Sequence, residues 1–310
     1  MKIAVLAGGI SCEREISLIS GRAVLEALRG LGHEACFIDA ADDFIKALRE
    51  KGIQHVFLAL HGTFGEDGTV QRVLDREGIR YTGSGPEASE KAFDKPRAQA
   101  LFKQTGIPVP DHRVCRKGER VPEAVRFPLV IKPARSGSSC GVSLVRERGD
   151  FRRACELAFR YSDEILLEQY IPGRELTVGI LGEEALPVVE IIAANAFYDY
   201  QAKYSDDRTR YEAPARLKAP EAAALQRHAL AAFRALGCRG MARADFMLDA
   251  AGRPYLLEVN TIPGLTGKSL LPKAAAAAGT DFGALCARIM ELSWSNRQDT
   301  DEKTVARSSR

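Results

Sequence analysis

Residues 255–269 read YLLEVNTIPGLTGKS, an apolar run that ends in Glu258 and Asn260 and breaks at Pro263 and Gly264. Side chains alternate along a strand with period two, so the Glu258 carboxylate and the Asn260 amide face the same side. Just upstream, ARADFMLDAAGRP carries Asp249, Gly252 and Pro254 as turn residues between two apolar runs, which predicts a β-hairpin. Folding the runs antiparallel about that turn sets Asp245 roughly opposite Glu258 and Arg243 roughly opposite Asn260. Facing carboxylates repel and are costly to bury unpaired. A divalent cation removes that conflict: Asp, Glu and Asn oxygens suit a hard ion, and Mg²⁺ is usually held by one or two carboxylates together with substrate phosphates. A solvated hairpin rim closed by salt bridges is the alternative. The metal reading requires that a phosphate donor has left marks elsewhere in the chain.

Outward from the hairpin, two kinds of organisation follow one another. KIAVLAGG at the start reads as a buried strand and a glycine turn, and the spacing of Ile16, Ile19, Ala23, Leu25 and Leu28 predicts a helix from about Glu15 to Arg29, stopped at Gly30. ACFID and HVFLAL are further short buried strands, separated by a helix near residues 42–51; GTVQRVLDREG is a helix and IRYTGSG a strand end. Alternating strands and helices make the first part an open parallel α/β sheet. Beyond it, DKPRAQALFKQTGIPVPDH is a helix with a proline-rich exit. FPLVIKPARSGSSCGVSLV is two strands joined by a glycine-serine loop, DFRRACELAFRYS an amphipathic helix, and EILLEQYIPG a strand ending in a turn. ELTVGILGEEALPVVEI reads as an antiparallel hairpin about Gly182, and EAAALQRHALAAFRALG as a helix. NAFYDYQAKYSDDRTRYEAPA shows no period and reads as a long loop, a length that in compact domains points to function or disorder.

At 310 residues the chain exceeds a typical single domain, so two or three lobes are expected. The boundaries are placed at 1–94, 95–178 and 179–296, with the apolar-poor residues 297–310 as a disordered tail. A formal net charge of +3 gives no support to nucleic-acid or membrane binding. No apolar run approaches the roughly 18 residues of a membrane span, and the first apolar run reads as a buried strand rather than a secretory signal. The 7 cysteines are scattered, with no CxxC pair, and are expected as thiols in a reducing cytosol rather than as disulfides or zinc ligands.

KPARSGSSCG is the strongest mark of a phosphate donor. Gly137 and Gly141 let the backbone bend against a ligand, the serines add hydroxyl donors, and Lys132 ends a strand where its ammonium can meet phosphate oxygens. A mobile turn is the plainer reading of the same residues. The segment is not a GxxxxGK[ST] loop, and AGGISCERE does not fit GxGxxG, so neither a Walker A loop nor a dinucleotide-binding Rossmann site is expected. Lys95 follows Asp94 at the start of the second lobe, and Lys203 lies in the long loop. The strand end Glu168, Gln169, Tyr170 and Ile171 offers alternating backbone groups to an adenine, with Glu175 near enough for a ribose; an ordinary edge strand explains it equally well.

Taken together, GGISCEREIS, LHGTFGEDG, YTGSG, DKPR, VIKPARSGSSCGVS, LLEQYIPGRELTV, FYDYQAKY, ARADFML and LLEVNTIPGLTGKS resemble the ATP-grasp superfamily, and within it the D-alanine–D-alanine ligases, over nearly the whole chain. The resemblance implies an α/β ATP-grasp fold behind an N-terminal open parallel α/β domain, with ATP between the central and C-terminal lobes. It implies Lys95, Lys132 and Lys203 on the phosphates, Glu168 to Ile171 around the adenine and Glu175 on the ribose. Asp245, Glu258 and Asn260 would hold two Mg²⁺ ions, which Mn²⁺ can replace. Glu13 would bind the ammonium of the first D-alanine, linked to Ser138 and Tyr204. Arg243 and the backbone of Gly264 would stabilise the oxyanion, Ser269 would contact the carboxylate of the second D-alanine, and His61 would lie near the substrates. A cytoplasmic homodimer making peptidoglycan precursors is the family expectation. Ile10, Cys140, Ile262 and the Gly267-Lys268 pair depart from the commonest pattern without removing a proposed ligand. Two rivals remain: a ligase joining D-alanine to D-lactate or another acceptor, against which Lys203-Tyr204 speaks, and a silent nucleotide-binding module, against which the complete set Arg243, Asp245, Glu258 and Asn260 speaks. The loops 195–210 and 136–140 are the expected lids over a water-sensitive acyl phosphate.

Overall fold

In the computed structural model of the chain, residues 1–119, 121–122, 125–193 and 209–293 are described. β1 (Lys2–Ala7) is buried from Ile3 onward, as a strand covered on both faces must be. It lies between β2 (Glu34–Asp39) and β3 (His55–Leu58), and β4 (Arg80–Tyr81) completes a parallel sheet in the order β2-β1-β3-β4. α1 (Arg14–Gly30) turns Ser17, Ser20 and Gly21 inward. It sits so close to the sheet that a Cβ at Gly21 would collide with Ala7 and come 2.9 Å from the Phe37 ring. From β1 the chain steps to β2, then crosses to β3 on the other side, so the topology reverses between β1 and β3. Ligands of open α/β sheets bind outside the carboxyl ends of the strands at such a switch point. The loops after β1 and β3 carry Glu13 and His61, and Ser17 joins them: its hydroxyl accepts from Gly8 N at 2.8 Å and donates to Ala59 O at 2.6 Å. α2 (Phe44–Glu50) and α3 (Thr69–Arg76) complete this part.

α4 (Pro86–Phe93) and α5 (Lys95–Gln104) are separated by Asp94, whose side chain accepts from Arg97 N at 3.2 Å and so caps the second helix. An antiparallel sheet follows in the order β5-β8-β6-β7, from β5 (His112–Arg116), β6 (Leu129–Pro133), β7 (Ser143–Val145) and β8 (Glu164–Gln169). α6 (Arg148–Ala158) covers it with Ala154, Cys155 and Ala158.

The third sheet is antiparallel, with order β12-β11-β9-β13-β14 and β10 on β9. Its strands are β9 (Gly173–Leu181), β10 (Glu184–Ala185), β11 (Val189–Ile192), β12 (Arg210–Glu212), β13 (Met241–Asp249) and β14 (Pro254–Asn260). β9 runs unbroken across residue 178, where the sequence places a lobe boundary. α7 (Ala219–Leu236) packs Leu225, Ala229 and Phe233 on one face. α8 (Leu270–Ala277) and the helical residues 282–293 lie on the other, where Leu271, Ala274 and Ile289 join Val5, Leu6 and Leu58 of the first sheet in one hydrophobic cluster. That shared core holds the switch point of the parallel sheet against the end of the hairpin. In the hairpin itself Arg243 pairs with Asn260 and Asp245 with Glu258, the register predicted from the turn residues. The ladder then slips: Phe246 faces Leu256, leaving Leu257 as a bulge.

Candidate active site

Two adjoining cavities meet at the hairpin. The first, of about 420 Å³, lies between the two antiparallel sheets and is lined by Lys95, Lys132, Glu168 to Ile171 and Glu175, with Val130, Val142, Met247 and Leu257 as apolar walls. The second, of about 470 Å³, is lined by Glu13, His61, Glu66, Ser138, Arg243, Asn260, Gly264 and Ser269. Asp245, Glu258, Glu175 and Ile191 line both.

Burial and pairing set the electrostatics of the first cavity. Lys132 and Glu168 form an ion pair at 2.7 Å with side chains only 8% and 4% exposed, and Gln99 Nε2 donates to the same carboxylate oxygen at 2.7 Å. Lys95, at the first turn of α5, donates from Nζ to Ser136 O at 2.6 Å and stands 3.3 Å from Glu258 Oε2. Its ammonium therefore joins the glycine-serine loop to the hairpin. That loop holds Ser138 and Ser139 at φ 47° and 56°, a left-handed backbone that non-glycine residues seldom adopt. Arg174 grips Glu190 at 2.8 and 2.6 Å, and that carboxylate holds the guanidinium above its ordinary pKa.

At the junction, Asp245 accepts both arms of Arg243 at 2.8 and 2.7 Å, Thr177 Oγ1 at 2.6 Å and Asn260 Nδ2 at 3.0 Å. The facing carboxylates of the hairpin are thus balanced by Arg243 and Lys95. Among the described residues no three His, Cys, Asp or Glu side chains converge as a metal-ligand set. The donors at hand are two carboxylates and an amide that can turn either its oxygen or its NH₂ inward, hard ligands that fit Mg²⁺ completed by substrate phosphate oxygens.

The second cavity draws on loops from three sheets. Ser138 donates to Glu13 Oε1 across the gap between the parallel domain and the glycine-serine loop. A Cβ at Gly137 would collide with Glu13 Oε2, and one at Gly62 would lie 2.5 Å from the same atom, so a side chain at either position would displace that carboxylate. His61 is buried; its Nδ1 faces Ile262 O at 3.2 Å and its Nε2 faces Ser20 Oγ at 3.4 Å. Burial pushes its pKa down to about 4, opposed by the Ile262 carbonyl and helped by the Arg243 charge, so the ring is neutral at pH 7 and ties the parallel domain to the end of the hairpin. Ser269 begins α8, and its hydroxyl is engaged by Thr266 N at 3.0 Å and Thr266 Oγ1 at 2.8 Å. Gly264 lies beside it: a Cβ there would come 2.8 Å from Ser269 Oγ.

Among the sequence candidates, Glu13, Ser138, Arg243, Gly264 and Ser269 gather at the second cavity, the lysines Lys95 and Lys132 with Glu168 to Ile171 at the first, and Asp245, Glu258 and Asn260 at the junction or beside it. Lys203 and Tyr204, with residues 195–208 of the expected lid, lie outside the described residues. Sequence reading passed over Glu66, which is buried and accepts from Gly62 N at 2.9 Å. Burial first, and then the Glu13 charge, push its carboxyl well above the ordinary range. A carboxylate framed by Gly65 and Gly68 in the same segment as His61 was the available signal. The partners Gln99, Arg174 and Glu190 were passed over too, as was the bulged Leu257.

The family model described as D-ala D-ala ligase C-terminus matches residues 101–291, and that for the N-terminus matches residues 42–84. The D-alanine–D-alanine ligase of Azoarcus sp. (strain BH72) is 47% identical over 292 residues, covering 93% of this chain and 96% of that protein. The crystal structure of D-alanine–D-alanine ligase from Bacillus anthracis complexed with ATP superposes with a TM-score of 0.86 at 34% identity, covering 97% of this chain and 99% of that one. The VanG D-Ala:D-Ser ligase from Enterococcus faecalis superposes with a TM-score of 0.81 at 30% identity, covering 94% and 98%. Two antiparallel sheets around one cavity, beside an open parallel α/β domain, are the ATP-grasp fold that these structures share. Within that fold, the chain belongs to the D-alanine–D-alanine ligase family.

Proposed function

We propose that the protein is an ADP-forming ligase that joins two molecules of D-alanine into D-alanyl-D-alanine for peptidoglycan precursors. The observation that carries this reading is that a cavity walled by Lys95, Lys132 and apolar side chains and a cavity walled by Glu13, Arg243 and Ser269 meet at Asp245 and Glu258. A carboxylate is a poor acyl electrophile. Transfer of the ATP γ-phosphoryl to the carboxylate of the first D-alanine makes an acyl phosphate, and the neutral amine of the second D-alanine then displaces phosphate. Such transfer is catalysed mainly by positioning and charge stabilisation. No enzyme nucleophile is required.

In this reading ATP lies in the first cavity, with its phosphates toward Lys95, Lys132 and Lys203, its adenine along Glu168, Gln169, Tyr170 and Ile171, and its ribose at Glu175. Asp245, Glu258 and Asn260 hold Mg²⁺, which supplies charge neutralisation on the phosphates when bound. Glu13, oriented by Ser138 and Tyr204, takes the ammonium of the first D-alanine. Arg243 and the Gly264 backbone face the developing oxyanion, and Ser269 takes the carboxylate of the second substrate. Three lobes, with the sequence boundaries at 1–94, 95–178 and 179–296 adjusted so that β9 stays whole in the third, action in the cytoplasm and a homodimer complete the proposal; no helix among the described residues is long and apolar enough to cross a membrane.

The test is ADP release by the purified protein with D-alanine, D-serine or D-lactate as acceptor beside D-alanine as donor, with products identified by mass. D-alanine-dependent ADP release with D-alanyl-D-alanine as the main product is expected. Nucleotide binding without D-alanine-dependent turnover would make the chain a silent module, and preferential formation of a mixed product would make it a ligase of another acceptor.

A further inference from the structure

Burial governs several of the thiols of this chain. It pushes those of Cys36 and Cys115 up, that of Cys155 to about 11 and those of Cys238 and Cys286 to about 12. Sulfurs held protonated in this way are poor nucleophiles at neutral pH. Cys12 and Cys140 are distinguished by their position. Cys12 is exposed and Cys140 half-buried, and their Sγ atoms stand 3.3 Å apart although 128 residues separate them in the chain. A disulfide needs about 2.05 Å, so the sulfurs have only about 1.3 Å to close.

The pair stands at a consequential place. Cys12 immediately precedes Glu13. Cys140 closes the turn that presents Ser138, its N–H donating to Gly137 O at 3.0 Å. The two thiols therefore flank the hydrogen bond from Ser138 to Glu13, a contact by which the glycine-serine loop meets the parallel domain. We propose that Cys12 and Cys140 are a site of reversible oxidative modification, whose disulfide clamps the 136–140 loop onto the N-terminal glycine loop and stops turnover. The effect on turnover rests on the reading of Glu13 and Ser138 as part of the substrate site; formation of the bridge does not.

A hydroperoxide is the oxidant class. Hydrogen peroxide transfers an oxygen to the thiol sulfur of the exposed Cys12 and leaves as water, giving the sulfenic acid. The Cys140 sulfur then attacks that of Cys12, the S–S bond forms as the S–O bond breaks, and a second water carries away the hydroxyl and the remaining proton. Two thiols lose two electrons and the peroxide gains them. A small dithiol reverses the step by exchange. A bridge at the protein surface is open to such exchange, as labile regulatory disulfides are. Residues 136–140 border both cavities, and loops placed in this way commonly open and close around substrates. A covalent link between the two loops removes that freedom; because Cys140 also lines the first cavity, it fixes part of that wall as well, while Lys132 and Glu168 stay in place.

The experiment exposes the full chain to hydrogen peroxide, alkylates remaining thiols, and maps peptides by mass spectrometry without reduction, with ADP release measured in parallel and each protein compared with its own untreated sample. A linked Cys12–Cys140 peptide is expected, together with a fall in D-alanine-dependent ADP release of at least about tenfold that dithiothreitol restores. Cys12→Ser and Cys12→Ala should keep their untreated activity through the same exposure. The proposal is overturned by absence of the linked peptide, by a linked peptide with undiminished activity, or by equal loss in the Cys12 variants. A wrong reading of the substrate site would show separately, in reduced protein, as an unchanged D-alanine KM in Glu13→Gln.

Discussion

The first cavity lies between two antiparallel sheets, and its charged walls pair with each other: Lys132 with Glu168, Arg174 with Glu190. The second is ringed by loops that leave three different sheets, and its carboxylates Glu13 and Glu66 are crowded by glycines and by each other's charge. The first is thus part of the fold, while the second exists only when the parallel domain, the glycine-serine loop and the hairpin end are held together. Substitutions in the sheet-built walls should therefore cost stability, and those in the loop-built cavity should cost substrate affinity. Residues at the junction should cost chemistry, because they face both.

The largest expected effect is at that junction. Glu258→Gln removes a charge where both cavities meet, and turnover should fall by about a thousandfold, the scale of losing a dedicated electrostatic group. Steady-state ADP release against Mg²⁺ concentration measures it, and near-normal rates at limiting Mg²⁺ would remove Glu258 from the metal site. Next comes Lys132→Met, which leaves the buried Glu168 without its cation. A loss of roughly 3 kcal/mol in unfolding free energy is expected from breaking a buried pair on one side. An unfolding midpoint in denaturant equal to that of the unaltered chain would show that the sheet-built cavity does not depend on its ion pair.

The tie between the regions has a pH signature. The folded pKa of His61 lies near 4, below the ordinary value of 6.5. The unfolded chain therefore binds the extra proton between those values. The contribution of neutral His61 is complete above the unfolded pKa and is lost as pH falls toward the folded one. Between about pH 8 and pH 5 the loss should be roughly 2 kcal/mol. Glu66, raised by burial, acts in the opposite sense and loses stability as pH rises. The difference between His61→Asn and the unaltered chain isolates the histidine: the variant should lack this acid-side loss in thermal melts, and parallel curves would refute the buried, neutral ring.

Glu13→Gln is expected to have the smallest effect. It keeps the shape of the second cavity and removes the charge that faces an ammonium. The KM for the first D-alanine should rise about tenfold, the scale of a charge-assisted hydrogen bond, while ATP affinity stays unchanged. A drop in nucleotide affinity of the same size would mean that the cavities are not separable.

The same division explains what could be read in the sequence. The register of Arg243, Asp245, Glu258 and Asn260 follows from period-two alternation and the Asp249–Pro254 turn, both local properties. The bulge that turns Leu257 as well as Glu258 into the nucleotide cavity breaks that period and has no local marker. Glu66 looks like any charged loop residue until the fold buries it beside Glu13. The partner Gln99 of Glu168, 69 positions earlier in the chain, and the Cys12–Cys140 approach are products of packing between segments distant in the sequence. The open parallel sheet was legible as alternating strands and helices, but its strand switch at β1 and β3 was not, and the loops it brings together become a cavity only against the end of the hairpin. For Lys203 and Tyr204 the reading rests on the family resemblance.

The central claim is that the substrate carboxylate in the second cavity takes the γ-phosphoryl of the nucleotide in the first. D-alanine labelled in its carboxylate with the heavy oxygen isotope tests it directly, by mass analysis of the inorganic phosphate released during turnover. An acyl phosphate leaves one carboxylate oxygen on phosphorus when the amine displaces it, so the account predicts labelled phosphate in step with dipeptide. Unlabelled phosphate released during dipeptide formation would contradict it.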